Sequence, residues 1–196
     1  MLRIGLTGGI AAGKSAAAAR FAALGALVVD HDLLARQAVA PGAAALADIA
    51  REFGDRLIVE GKLDRKALAN VVFHDRGALR RLNGIVHPYV FSLARAADRR
   101  AREDHVNVVV HDIPLLADVG ASEDYDLVVT VAAALPVRLR RLMDERGLTH
   151  EEAYMRIDSQ VDDEARAAIA DVVIDGNGTL EYLYAQVDEV WRLHVP

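Results

Sequence analysis

Five short apolar runs punctuate the chain, at residues 2–6, 27–30, 106–111, 127–131 and 172–174. Most are nearly continuous Val, Leu and Ile, with no polar residue at alternate positions. Strands covered on both faces have this pattern. Stretches with helical spacing separate the runs, which predicts βαβ units and a parallel sheet. The first helix is predicted over residues 14–24 and is mostly alanine, the strongest helix former.

Between the second and third runs, roughly residues 33–104 show helical spacing and no good strand. Pro41-Gly42, Phe53-Gly54, Glu60-Gly61 and His87-Pro88 punctuate this segment. Asp64 is placed to cap a helix beginning at Arg65. A crossover of that length exceeds what a connection needs, so we expect a helical insertion that covers a substrate. After the fourth run, Pro136 can start a helix and Gly147 can end it. Thr149 and Glu152 then fit a capping box. A last helix is predicted over about 179–193. The expected organisation is one unit over residues 1–196, with the insertion at about 33–104 and a helical lid at about 136–168.

Composition narrows the function. A length of 196 residues suits one domain with an insertion, and 53% apolar residues with 5% aromatics make a core of Ala, Leu and Val. The net charge of -6 argues against general nucleic-acid binding, which needs a basic footprint. Any polyphosphate site must therefore be a local basic spot. The absence of cysteine rules out disulfides and thiolate metal sites. No signal-peptide pattern or membrane-length apolar run is visible, so the expectation is a cytoplasmic protein without a nucleic-acid or membrane partner.

Residues 8–15 read Gly-Gly-Ile-Ala-Ala-Gly-Lys-Ser, a G-x-x-x-x-G-K-S phosphate loop between a predicted strand and a predicted helix. Gly8 and Gly13 permit backbone angles at which a Cβ would clash. The loop amides and the helix N-terminus then face phosphate oxygens. Lys14 can reach the β- and γ-phosphates, and Ser15 can ligate Mg²⁺. The bland reading is a glycine-rich turn.

Two further strand ends carry carboxylates. The second ends Asp30-His31-Asp32, and ligands of parallel sheets sit beyond the carboxyl ends of strands. Asp32 either orients and deprotonates a hydroxyl acceptor or caps the helix that starts near Leu33. The third ends His111-Asp112, where the carboxylate either joins a Mg²⁺ shell beside the loop or forms a turn before Pro114. Arg138, Arg140, Arg141 and Arg146 follow in the predicted lid. Arg138 and Arg141 share a face by their i,i+3 spacing, while Arg140 points elsewhere. These arginines either neutralise a transferring phosphoryl group or form a solvated face.

Together these motifs resemble the dephospho-CoA kinase family. The matching pieces, in family order, are Thr7-Gly8-Gly9-Ile10 with Gly13-Lys14-Ser15, Asp30-His31-Asp32, Leu63-Asp64-Arg65, His87-Pro88, Asp112-Ile113-Pro114-Leu115-Leu116, Arg156-Ile157 with Gln160, and Ala170-Asp171. The resemblance implies a five-stranded parallel sheet of order 2-3-1-4-5 flanked by helices. It also implies ATP-dependent phosphorylation of the ribose 3′-hydroxyl of dephospho-CoA, with ATP and Mg²⁺ as cofactors. Asp32 is then the general base, and Lys14 and Arg140 stabilise the γ-phosphoryl charge. Gly8, Gly9, Ile10, Ala11, Ala12, Gly13, Lys14, Ser15 and Ala16 bind ATP, with Ser15 on the metal. Thr7, Asp32, Leu63, Arg65, His87, Asp112, Leu115 and Leu116 bind the acceptor. The chain departs from the family pattern at His31, at Phe91, and at Asp175-Gly176-Asn177-Gly178, where the asparagine is shifted by one. Phosphorylation of another small acceptor, such as a nucleoside monophosphate, is the alternative in the same class. A GTP-dependent switch is disfavoured because no asparagine is followed by lysine.

Overall fold

The computed structural model describes residues 1–73, 75–114, 116–160 and 163–195. In chain order the strands are β1 (Leu2–Gly8), β2 (Leu27–Asp30), the two-residue strands β3 (Ile58–Val59) and β4 (Lys62–Leu63), β5 (Val108–Asp112), β6 (Leu127–Ala132) and β7 (Val172–Asp175). The large sheet has the order β2-β5-β1-β6-β7. Counting its own five strands alone, that is 2-3-1-4-5, as expected. Pairing is parallel, with Leu6 opposite Asp112 on one side of β1 and opposite Val129 on the other.

The helices are α1 (Lys14–Ala23), α2 (His31–Ala38), α3 (Ala44–Phe53), α4 (Arg65–Phe73), α5 (Arg76–Glu103), α6 (Leu116–Val119), α7 (Leu135–Arg146), α8 (His150–Asp158), α9 (Asp163–Ala168) and α10 (Leu180–His194). Several ends follow the predicted chemistry. Asp64 accepts a hydrogen bond from the Ala67 amide at 2.9 Å. Gly147 closes α7 at φ 65°, and Thr149 and Glu152 form a reciprocal capping box on α8.

Two compact units divide the chain: Met1–Val29 with Ala101–Pro196, and Asp30–Arg100. In the first, Ile4 and Leu6 of β1 and Val129 and Val131 of β6 pack with Ala17 and Phe21 of α1 and with Leu183, Val187 and Val190 of α10. Full burial of a side chain such as Phe21 is worth roughly 1.5–3 kcal/mol. The small alanines of α1 let that helix approach the sheet closely. Ile113, Leu116 and Val128 form a second, smaller cluster. In the other unit, Val39, Ala45, Ile49, Leu57 and Leu68 make a separate core.

Two expectations for the 33–104 segment need correction. Glu60-Gly61 is the tip of the β3–β4 hairpin and not a break between helices. Both residues have positive φ, 51° and 75°, as a two-residue turn between antiparallel strands requires. His87-Pro88 lies inside α5, which runs 28 residues through it. The proline lacks one N–H donor, but the apolar stripe on either side (Leu82, Ile85, Val86, Tyr89) packs on the unit's core, and tertiary packing overrides the local breaker.

Candidate active site

The turn between β1 and α1 is built for close approach of an anion. Gly13, just before α1, has φ 112°, and Ala11 is held in the left-handed region at φ 59°. Consecutive residues of alternating hand turn successive N–H groups toward one point, and the first turn of α1 adds its unpaired amides. At Gly8 a side chain is excluded by contact, since a Cβ would lie 2.7 Å from the Val131 carbonyl oxygen. Ser15 is exposed in the first turn of α1, so its hydroxyl is open to a ligand. Ala16 is half-buried behind it and donates its amide to Gly13 O at 3.0 Å.

Lys14 Nζ is ion-paired with an Asp112 carboxylate oxygen, and both side chains are largely buried. The pairing of β1 with β5 brings Asp112 to the end of β1, and Ile113 N–H continues the ladder to Leu6 O at 2.8 Å. The carboxylate is therefore held by its strand beside the loop and is not a free turn residue. Thr7 is fully buried, and its hydroxyl lies 3.4 Å from Pro114 O.

Of the lid arginines, the structure brings Arg138 and Arg141 to the loop. Arg138 donates from Nε to Ile10 O at 2.9 Å, and its guanidinium lies against Gly9, where a Cβ would sit 2.7 Å from Cζ. Arg141 donates to Ala11 O at 3.0 Å and to Gly176 O at 2.7 Å. These are the two residues that share a face by spacing. Arg140, the arginine favoured by the resemblance, is exposed and makes no hydrogen bond or ion pair among the described residues. On this helix it projects away from the face that holds Arg138 and Arg141. Burial, the largest influence, lowers the Arg138 pKa; Asp163 pulls it back up and the neighbouring Arg166 cation lowers it further.

Asp30, and not Asp32, caps α2: its Oδ1 accepts the Leu33 amide at 3.0 Å. Asp32 stands exposed in the first turn of α2 with no capping duty. In the same unit, Leu63 is half-buried in β4, Arg65 is exposed at the start of α4, and His87 packs edge-on against Phe91 at 6.0 Å. Leu116 is fully buried in the smaller cluster with Ile113 and Val128, so it faces core and not an open cleft. Leu115 lies outside the described residues.

The residues that sequence reasoning left without a role are Asp163, Gln160 and Gly176; Arg166 is one of the lid arginines that the sequence offers for phosphoryl charge. Asp163 takes two guanidinium contacts, from Arg138 at 3.1 Å and from Arg166 at 2.6 Å. Gly176 is the tightest fit at the loop. A Cβ there would fall 2.0 Å from Ala12 O and 3.2 Å from Ala132 O, both backbone atoms. Gly176→Ala is expected to force the phosphate loop outward. The cost is about 1–3 kcal/mol of stability, with ATP binding weakened at the same time. A thermal melt and an ATP titration on one sample check this, and an unchanged titration would refute it. The shifted Asn177 accepts the Ala134 amide at 2.7 Å and donates to Asp175 at 2.6 Å, tying the turn after β7 to the start of α7.

Comparison with known proteins completes the picture. The family model for dephospho-CoA kinase matches residues 2–181. The dephospho-CoA kinase of Leifsonia xyli is 50% identical over 193 residues, covering 97% of this chain and 98% of that one. The dephospho-CoA kinase of Thermobifida fusca is 45% identical over 200 residues, covering 99% of each. Among solved structures, TT1252 from Thermus thermophilus superposes with a TM-score of 0.86 at 34% identity, covering 100% of this chain and 98% of the other. With a phosphate loop on a 2-3-1-4-5 sheet and whole-length similarity of this degree, the chain belongs to the dephospho-CoA kinase family.

Proposed function

We propose that this protein transfers the γ-phosphoryl group of ATP to the ribose 3′-hydroxyl of dephospho-CoA, releasing coenzyme A and ADP. The observation that carries this reading is similarity to dephospho-CoA kinases across nearly the whole of both chains, at 45–50% identity. A phosphate loop alone would fit any acceptor, but the match extends through the acceptor-side segments as well as the loop.

In this reading the amides of residues 11–15 cradle the triphosphate. Lys14, now neutralised by Asp112, exchanges that carboxylate for phosphate oxygens. Asp32, two residues past the carboxyl end of β2, accepts the proton of the attacking hydroxyl. The new bond forms from the 3′-oxygen to the γ-phosphorus, and the bond to the bridging oxygen of ADP breaks. Phosphoryl transfer asks the protein mainly for positioning and charge stabilisation.

The charge-stabilising arginine of α7 is best assigned to Arg141, because it already bonds the loop. Arg141→Ala is expected to lower kcat by about 10²–10³-fold, the usual loss for one charge-stabilising donor, while Arg140→Ala changes it by less than about threefold, an exposed charge being weakly coupled. A larger loss in Arg140→Ala than in Arg141→Ala would return the role to Arg140, and equal losses would refute the assignment to Arg141 alone.

The Ser15 hydroxyl and the Asp112 carboxylate are hard oxygen donors of the kind Mg²⁺ takes. Among the described residues no group of three or more His, Cys, Asp or Glu forms a dedicated metal cage; in this reading the cation arrives on the nucleotide. When bound there, it would offset charge on the β- and γ-phosphates. No described helix is long and apolar enough to cross a membrane.

The direct test is incubation with Mg·ATP and dephospho-CoA, with coenzyme A and ADP as the expected products. A nucleoside monophosphate and shikimate run in parallel. Turnover of either in place of dephospho-CoA would defeat the proposal.

A further inference from the structure

At the apex of the phosphate loop, Ile10 is gripped by both of its backbone polar groups. Its N–H donates to Gln160 Oε1 at 2.8 Å, and its C=O accepts Arg138 Nε at 2.9 Å. The two holders also meet each other. Arg138 donates to the same Gln160 Oε1 at 3.2 Å, and Arg166 reaches it at 3.5 Å. Among the described residues, every hydrogen bond of the Gln160 side chain is thus accepted by one oxygen. A carboxylate could accept the same three, and a residue flanked by two arginines would ordinarily gain by being one. The position nevertheless holds a neutral amide.

The charge count explains why that matters. Arg138 and Arg166 are each only 3% exposed, and among the described residues Asp163 is the one carboxylate they share, itself half exposed. Counted over the described residues, the cluster therefore carries one positive charge in excess, against the loop. Arg166 Nε is buried with no hydrogen-bond partner among the described residues. An uncompensated buried cation is costly, and the cost is offset when an anion arrives next to it.

We propose that Gln160 is a positioning residue for ATP. Its amide oxygen fixes the loop apex at Ile10, and its neutrality leaves the excess charge of the Arg138–Arg166 pair to act on the triphosphate. This deepens the kinase reading above and rests on it.

Gln160→Glu and Gln160→Met separate the two parts. The glutamate keeps the acceptor but cancels the excess charge. Its melting temperature should be no lower than wild type, while the Kd for ATP, by calorimetry, should rise about tenfold, as one unscreened charge a few ångströms away dictates. The loss should be smaller for ADP, KM for ATP should rise with the Kd, and KM for dephospho-CoA should hold. Methionine has similar bulk and no comparable acceptor. It should loosen the loop and weaken ATP binding several-fold, with a lower melting temperature.

A glutamate variant that binds ATP as tightly as wild type would overturn the charge argument. A methionine variant with a lowered melting temperature but unchanged ATP affinity would reduce Gln160 to a structural tie and overturn the positioning role. Absence of ATP binding by the wild-type chain would instead defeat the kinase reading, and this proposal with it.

Discussion

Asp32→Asn is expected to bind ATP as wild type does and to transfer the phosphoryl group about 10²–10⁴-fold more slowly, the range a general base supplies. The substitution is close to isosteric and removes only the ability to take a proton. It leaves the start of α2 intact, because the cap belongs to Asp30, whose carboxylate holds the Leu33 amide. Asp32 is exposed, so losing its charge near a helix N-terminus costs about 0.3–1 kcal/mol at most. Single-turnover transfer, ATP affinity and a thermal melt on the same protein distinguish the cases. A slow variant with a normal melt and normal ATP affinity supports the base role; wild-type turnover removes it. Asp30→Ala is the complementary control. It should cost about 1 kcal/mol, the usual value of a helix cap, with a much smaller effect on the chemical step.

Lys14→Ala has the second large effect. The ammonium is the sole basic side chain within the loop sequence, and its Nζ is already drawn toward the loop by Asp112. Removing it should lower kcat by about 10²–10³-fold, as for loss of one preorganised electrostatic contact in a shielded site. The same change leaves Asp112 largely buried without its cation, which adds a stability loss. Lys14→Ala with Asp112→Asn should recover much of the stability and none of the rate. Recovery of both in the double variant would show that Lys14 acts only as a structural counter-ion.

Much of this site was legible because its determinants are local. A glycine-lysine-serine loop between an apolar strand and a helix needs only about fifteen consecutive residues to be recognised. The capping box at Thr149 and the Asp64 cap are similarly short-range. The shared face of Arg138 and Arg141 followed from spacing alone and matches the contacts that both make with the loop. What stayed hidden depends on distant parts of the chain meeting. Gln160 and Ile10 are joined only once β1 lies beside β6 and α8 has turned back toward the loop, and no local pattern marks that meeting. Gly176 looked like one glycine of a turn; its constraint is Ala12, a residue far away in sequence. The β3–β4 hairpin escaped notice because two-residue strands have no periodicity to read. Pro88 misled because the proline rule is local and the packing of α5 is not. Asp32 was ambiguous since it could either serve an acceptor or cap a helix, and only the extended backbone of Asp30, φ −81° and ψ 110°, shows that the cap lies two residues earlier.

The position of β1 in the sheet has a consequence for how the protein is made. It is synthesised before both of its neighbours, β5 and β6, and Phe21 on the helix after it is covered in part by α10. The stretch from Asp30 to Arg100 is contiguous and has its own core, so it can organise while translation is still under way. β1 and α1 must wait, with apolar side chains exposed, until β5, β6 and α10 have been synthesised. Nascent chains lacking α10 should therefore be the ones that engage chaperones most strongly, and the capacity to hold ATP should appear only after α10 has packed on α1.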